Sequence, residues 1–472
     1  MAALSPSARA HLKSVTDFYD RAPSSLNWAS RAYRETLAHY YNLLIPRGAS
    51  VIEIGCGAGD LLALLPDRRR FGVDLSAKQI EQARKRLPDV TFYVQSGEEL
   101  SIPGSFDFIV ISDTVNLAAD VQALFHQLHR VSHDRTRLIL NFHSTLWRPI
   151  LRAATWGRLK TPQPPSNWLA RSDVRQLLDA ADWEVVTMAS RILSPVRAFG
   201  LGSFLNSYLA PFLPFFCLSV LCVARLRPAG QARQLSTSIV IPARNEAGNI
   251  EAAVRRVPTL GSRTELIFVE GHSRDNTWEE IQRMKREFPN TNIMAIQQRG
   301  RGKGDAVREG FAAASGDLLM ILDADLTMPP EELPKFYDLI ATGHAEFANG
   351  SRLVYPMEER AMRFLNLAAN KTFSVLFTWL LGQPIKDTLC GTKVIMRADY
   401  DRLTANRAFF GDFDPFGDFD LLFGAAKLNL KIVDVAIRYC DRTYGATNIA
   451  RWKHGWLLFR MMMIAARKLK FV

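Results

Sequence analysis

The chain has 472 residues, 48% of them hydrophobic and 22% charged, which excludes long disorder and implies two or three folded domains. Its net charge of +12 favours an anionic partner (nucleic acid, anionic lipid or a phosphorylated substrate) or reflects only a solvated basic surface. Cys56, Cys217, Cys222, Cys390 and Cys440 are scattered, with no C-x-x-C pair, so neither a zinc site nor a disulfide framework is implied and reduced thiols at a cytosolic face are expected.

Met1 to Lys13 lacks a long apolar core, so no signal peptide is expected there. Short apolar runs follow at Ser50–Ile54, Arg70–Val73, Thr91–Val94, Phe106–Ile111 and Arg137–Asn141, with helical patterns between them. That alternation predicts an α/β domain with a largely parallel sheet, whose ligands sit at the carboxyl ends of the strands. The first strand runs into the glycine-rich turn Gly55-Cys-Gly-Ala-Gly59, and Asp74 ends the next strand. Such glycines let backbone approach a ligand, and an acid about 20 residues on can take ribose hydroxyls. Phe204–Ala224 is long enough to span a membrane, but Asn206, Pro211 and Pro214 interrupt it and Leu218–Ala224 fits a buried strand.

The phrases VIEIGCGAGDLL, FGVDLS, SGEEL and FDFIVISDTV, with Glu53 before a G-C-G-A-G turn, resemble the class I S-adenosylmethionine-dependent methyltransferases over Phe18 to Leu226. The resemblance implies a Rossmann-like fold and S-adenosylmethionine as cofactor. Gly55, Gly57 and Gly59 would admit the methionine moiety, Glu53 would lie near its amine and Asp74 would hold the ribose. Ser96 and Gly97 stand where many relatives carry an acid beside the adenine, and Asp113 would line the acceptor site. His143 follows a strand and reads as structural, so no base is identified.

Arg227–Gln234 is polar, contains Pro and Gly, and separates two apolar segments. The expected division is residues 1–228 as the methyltransferase-like domain, 229–234 as linker, 235–448 as a second α/β domain and 449–472 as a basic tail. Strands are expected at Thr237–Pro242, Glu265–Val269, Asn292–Ile296 and Asp317–Leu322. The last runs into Asp323-Ala-Asp325, whose paired carboxylates suit a hard divalent cation, Mg²⁺ or Mn²⁺. Such a cation would grip a diphosphate and stabilise its departure. Glu246 and Glu270 follow neighbouring strands, Thr277 with Glu280 predicts a capping box, and Arg299-Gly-Arg-Gly-Lys-Gly304 offers backbone amides and cations to an anion.

The ordered phrases VIPARNEAGNI, VEGHSRDNTWEEI, GRGKGDAVREG, DADLTMPPEEL, ANGSR, DTLCGTKV and RTYGATN resemble glycosyltransferase family two, the inverting GT-A enzymes, over Leu235 to Asn448. Within that family they are similar to the dolichyl- or polyprenyl-phosphate sugar synthases. The resemblance implies a nucleotide-sugar donor. Pro242, Ala243 and Glu246 would contact base and ribose, and Glu270, where the family usually has Asp, would hold the base. Lys303 would lie beside the nucleotide, Asp323 and Asp325 would bind donor and metal, and Arg352 and Arg442 would neutralise phosphate. Asp387 would line the same cleft. Asp418 or Asp420 could serve as general base or simply cap a helix, and a lipid-phosphate acceptor, already an anion, needs no base.

Ile449–Val472 places Trp452 and Trp456 among Arg451, Lys453, Arg467, Lys468 and Lys470, and Arg360–Leu381 interleaves aromatics with Arg363 and Lys371. Both suit a membrane surface, or else pack on the domain core. The expectation is two α/β domains, a Rossmann-like methyltransferase fold and a GT-A fold, with a C-terminal amphipathic helix. Sugar would pass to a polyprenyl phosphate and a methyl group to an unidentified acceptor, at the inner face of a membrane, with no nucleic-acid partner. The rival readings are a non-catalytic N-terminal domain or a soluble glycan acceptor.

Overall fold

The structure is a computed structural model describing residues 4–21, 27–157, 160, 163–164, 166–196, 200–355, 364–406, 418–442, 444 and 451–472, with backbone alone at 364–369, 418 and 451–455. It divides into two compact units, Met1–Arg227 with Lys470–Val472, and Pro228–Leu469.

The first unit holds β1 (Ser50–Ile54), β2 (Arg69–Asp74), β3 (Thr91–Val94), β4 (Phe108–Ser112), β5 (Arg137–His143), β6 (Trp183–Arg191) and β7 (Ser219–Leu226) in the order β3-β2-β1-β4-β5-β7-β6. β1 to β5 are parallel, while β7 runs antiparallel to both neighbours. Every residue of β1, β4 and β5 is buried, as expected of strands covered on both faces. The strand order reverses between β1 and β4, which opens a crevice at their carboxyl ends. Leu218–Ala224 is the interior strand expected, and Leu205–Leu209 and Pro214–Phe216 form short irregular helical turns before it. No helix among the described residues is long and apolar enough to cross a membrane.

The second unit holds β8 (Ser236–Ala243), β9 (Arg263–Glu270), β10 (Asn292–Gln297), β11 (Leu318–Ile321), β12 (Phe347–Ser351), β13 (Lys393–Met396) and β14 (Ile432–Ala436) in the order β10-β9-β8-β11-β13-β12-β14. β8 to β11 are parallel, and β13 runs antiparallel between β11 and β12. Both sheets are therefore mixed rather than purely parallel. Ile239, Ile241, Phe268, Met320, Phe336 and Val394 pack one core, which fixes the ends of β8, β9 and β11 along one edge.

The predicted capping box at Thr277 does not form. The helix Thr277–Glu287 already includes Thr277, its N-cap is Asn276, and no side chain caps it. The Thr277 hydroxyl instead donates to Asp275 at 2.5 Å and accepts the Glu246 N–H at 3.0 Å, tying two loops together.

Phe364–Leu381 and Arg451–Leu469 are helical. In the latter, Leu458, Met461, Met462, Ala465 and Ala466 are buried while Trp456, Phe459 and Met463 stand exposed. The buried residues share one face of the helix, and its exposed side carries Arg460 and Arg467 beside those apolar groups. The side chains of Trp452, Arg451 and Lys453, and the residues Arg360 and Arg363, lie outside the described residues.

Candidate functional site

In the second unit the loops after β8, β9 and β11 converge. Each contains a non-glycine residue in the left-handed region, Asn245 (φ 58°), His272 (φ 57°) and Leu326 (φ 52°), a strain that surrounding structure must hold in place. Arg442 ties two of these loops, donating to Glu246 Oε1 at 2.9 Å and to Asp325 Oδ2 at 2.5 Å. Asp325 Oδ1 accepts from the Thr327 hydroxyl at 2.9 Å. Lys303 Nζ lies 2.6 Å from Asp323 Oδ1. Burial pushes the Asp323 carboxyl up, but the Lys303 ammonium, with the charges of Arg352 and Lys393, holds it below the ordinary range. Burial raises Glu246 even though Arg442 opposes the shift.

Gly391 packs directly against Asp323 and Lys303: a β-carbon there would collide with the carboxylate oxygen and the ammonium. Asp387 is fully buried and engaged at both oxygens. It accepts from Arg352 Nε at 2.7 Å, Arg352 Nη2 at 2.9 Å, Asn370 Nδ2 at 2.8 Å and the Leu389 N–H at 2.9 Å. Burial would raise its carboxyl, but the Arg352 guanidinium holds it down at about 2. Asp387 is thus a strut that aims Arg352, whose charge in turn acts on Asp323.

Pro242 and Ala243 end β8, and the Gly271 N–H donates to the Ala243 carbonyl at 2.8 Å. Glu270 ends β9, is buried, and accepts the Ser273 N–H at 2.5 Å. The Arg299–Gly304 loop differs from expectation. The backbone N–H groups of Arg299 and Gly300 donate to Glu309 at 2.9 and 3.2 Å, so those amides already serve the protein's own carboxylate. The helix Asp418–Lys427 begins at Asp418, whose side chain lies outside the described residues, and Asp420 sits half-buried in its first turn. Sequence reasoning missed Gly391 as a contact of Asp323, and missed Tyr444, which packs on Gly248 and donates to Asp275 at 3.4 Å.

In the first unit a cavity of about 380 Å³ is lined by Glu53, Gly55, Gly57, Asp74, Gly97 and Asp113, among others. Gly59 does not line it. With φ 75° it caps the short helix Asp60–Ala63 and abuts Leu87. Asp74 accepts the N–H groups of Gly57 at 2.8 Å and Ser76 at 2.9 Å. Gly97 has no room for a side chain between Ile54 and Leu124. Glu53 is 2% exposed, its Oε2 has no hydrogen-bond partner, and burial pushes its carboxyl up to about 8.

Asp113, also on the cavity wall, sits at φ 57°. It accepts from the Tyr33 hydroxyl at 3.0 Å and from Asn141 Nδ2 at 2.5 Å, with His143 Nε2 at 3.5 Å. Burial lowers the His143 imidazole below its ordinary value, favouring the neutral form. His143 is therefore part of a polar cluster facing the cavity, not a lone core histidine. Tyr33 belongs to the helix Trp28–Leu44, which carried no motif and which Asn27 caps through a 2.8 Å bond from the Ser30 N–H.

Residues 238–404 match the model of the glycosyl transferase family 2, and residues 51–134 match a methyltransferase domain model. The chain is 36% identical over 122 residues to a dolichol-phosphate mannosyltransferase of Pyrococcus furiosus, covering 25% of this chain and 34% of that one. It is 31% identical over 231 residues to an undecaprenyl-phosphate 4-deoxy-4-formamido-L-arabinose transferase of Pseudomonas fluorescens, covering 48% of this chain and 63% of that one. The chain thus spans between a third and under two thirds of the length of these relatives. Among solved structures, it matches a magnesium protoporphyrin IX methyltransferase of Synechocystis with bound SAH at 18% identity and a TM-score of 0.32, over 46% of this chain and 99% of that one. The chain joins a methyltransferase domain to a glycosyl transferase family 2 domain.

Proposed function

We propose that the second unit transfers a sugar, with inversion, from a nucleoside-diphosphate sugar to a polyprenyl phosphate, and that the first unit uses S-adenosylmethionine to methylate an acceptor. One observation carries the first part: after the strands of one sheet edge, Lys303 pairs with Asp323, and Arg442 pairs with both Glu246 and Asp325, each within hydrogen-bond distance. Such pairs are poised to open around a diphosphate. Lys303 and Arg442 would then carry phosphate charge. Asp323 and Asp325 would hold Mg²⁺ or Mn²⁺, which supplies charge stabilisation to the leaving diphosphate. Two carboxylates fit this reading, because Mg²⁺ usually takes one or two and completes its shell with phosphates and water. Among the described residues there is no cluster of three or more His, Cys, Asp or Glu that would cage a metal without substrate.

Pro242, Ala243, Glu246 and Glu270 would take the base and ribose, and Arg352, aimed by Asp387, would face the developing charge. The dolichol-phosphate and undecaprenyl-phosphate relatives support the lipid acceptor. A phosphate acceptor is already ionised, so neither Asp418 nor Asp420 need act as base. With a bilayer-embedded acceptor the protein would work as a peripheral protein at the cytoplasmic face of a membrane, where the exposed Trp456 and Phe459 could rest. The test is a screen of nucleotide sugars with undecaprenyl phosphate and Mg²⁺ or Mn²⁺. A glycolipid of inverted anomeric configuration supports the reading, and transfer only to soluble glycans overturns it.

Two predictions follow from these pairs and from Glu53. Gly391→Ala should lower sugar transfer at least about tenfold, because displacing Asp323 and Lys303 costs on the order of 1.4 kcal/mol or more at the reacting geometry. Its melting temperature should be nearly unchanged, because the nearest atoms the added methyl meets are the ends of two flexible side chains.

For Glu53, the carboxyl is protonated at neutral pH in the free protein, its value being about 8. Pairing with the cofactor's ammonium would ionise it, so binding should release a proton near pH 7 and tighten as pH rises toward 8. Calorimetry in buffers of different ionisation enthalpy reads this directly. Glu53→Gln should abolish the proton release. The same group makes the unliganded unit lose stability between about pH 4.5 and 8, where the unfolded chain has lost this proton and the folded chain retains it.

A further inference from the structure

The first unit carries an apolar face that its cofactor cavity does not account for. Phe204, Phe212, Phe215 and Phe216 are 53%, 62%, 71% and 54% exposed, and Ile150 and Trp156 on the helix Arg148–Trp156 are 50% and 92% exposed. The two segments are joined by the Trp147 indole N–H, which donates to the Phe216 carbonyl at 2.8 Å. So many large side chains in one region exceed the scattered apolar residues of an ordinary surface.

Charge says what covers them. No Asp or Glu occurs between Asp134 and Asp173, nor between Glu184 and Glu246, so both segments are free of carboxylates. Arg148 and Arg152 are exposed on the same helix. Aromatics with cations and no acids match the headgroup region of an anionic leaflet. The cavity adds a second argument: Trp147, Ile150, Leu151 and Ala154 of this region line it, and half-exposed Ile150 belongs to both cavity and outer surface. The cavity that Asp113 and His143 line therefore shares part of its wall with the apolar face.

We propose that this face of the first unit docks on an anionic lipid bilayer, and that the cavity receives its acceptor, an amphipathic lipid-borne molecule, from that bilayer. The acceptor half rests on the methyltransferase reading; the docking half does not.

The test uses the full chain in a Cys440→Ser background, since the other four thiols are buried. An environment-sensitive fluorophore is attached at Phe215→Cys, or at Lys85→Cys on the helix Ala77–Arg86 as control. With phosphatidylcholine–phosphatidylglycerol vesicles, the probe at 215 should shift to the blue and be quenched by a lipid-borne nitroxide, while the probe at 85 should not. The combined variant Phe212→Ser, Phe215→Ser, Phe216→Ser should lower vesicle partitioning by about tenfold or more. Its sugar transfer to a short-chain, water-soluble polyprenyl phosphate should be unchanged, which separates failure of docking from failure of the glycosyl-transfer reading. Three results overturn the proposal: vesicle binding with the 215 probe still in water, no vesicle binding at all, or a lipid-independent shift that grows with protein concentration, which would assign the face to a second copy.

Discussion

Replacing Asp325 by alanine is expected to lower sugar transfer by about 10³-fold or more while leaving S-adenosylmethionine binding intact. The carboxylate does two jobs in the proposed site. It would hold the divalent cation with Asp323, and it anchors Arg442, which also donates to Glu246. Removing it takes away several kcal/mol of charge stabilisation, and each 1.4 kcal/mol is about tenfold in rate. Single-turnover transfer at saturating Mn²⁺, beside calorimetry with S-adenosylmethionine, checks both halves. Transfer within tenfold of the parent chain would remove Asp325 from the machinery.

The second large effect is on folding. Asp387→Asn should destabilise the second unit by about 3–5 kcal/mol, because it leaves the buried Arg352 guanidinium without its counter-charge. The parent chain should also show a pH dependence that the variant lacks. Asp387 is held at about 2 in the folded state, below the ordinary 3.8. Its stabilisation is therefore complete above about pH 4 and drains away as pH falls through 2. Urea unfolding of the second unit's signal from pH 5 to pH 2 measures both. Equal midpoints for parent and variant at pH 5 would show the pair to be worth little.

The parallel strands were legible because apolar runs of four to eight residues ending in glycine or acid have few other homes. β12 was not, since Phe-Ala-Asn-Gly-Ser has no strand-forming residue after Phe347 and is a strand because β13 and β14 pair with it. β7 and β13 run against the parallel pattern, and nothing local announces direction. In the site, the charged residues could be named from their motifs, but who pairs with whom is a tertiary fact. Arg442 joining Glu246 to Asp325 and Tyr33 reaching Asp113 both link residues far apart in the chain. Gly59 shows the converse: it belongs to the glycine motif but serves the turn's conformation rather than the cavity wall.

Gly391 carries a genetic consequence. Most damaging substitutions in a small core act by thinning the pool of folded chains, so abundance and activity fall together. At Gly391 the first obstacle any new side chain meets is the Asp323–Lys303 pair rather than the backbone. In a mutational scan this codon should stand apart, with alleles that accumulate to normal levels yet transfer sugar far more slowly than the parent chain. Such alleles would occupy the protein's binding partners or surfaces without working there, and so could interfere with a functional copy in the same cell.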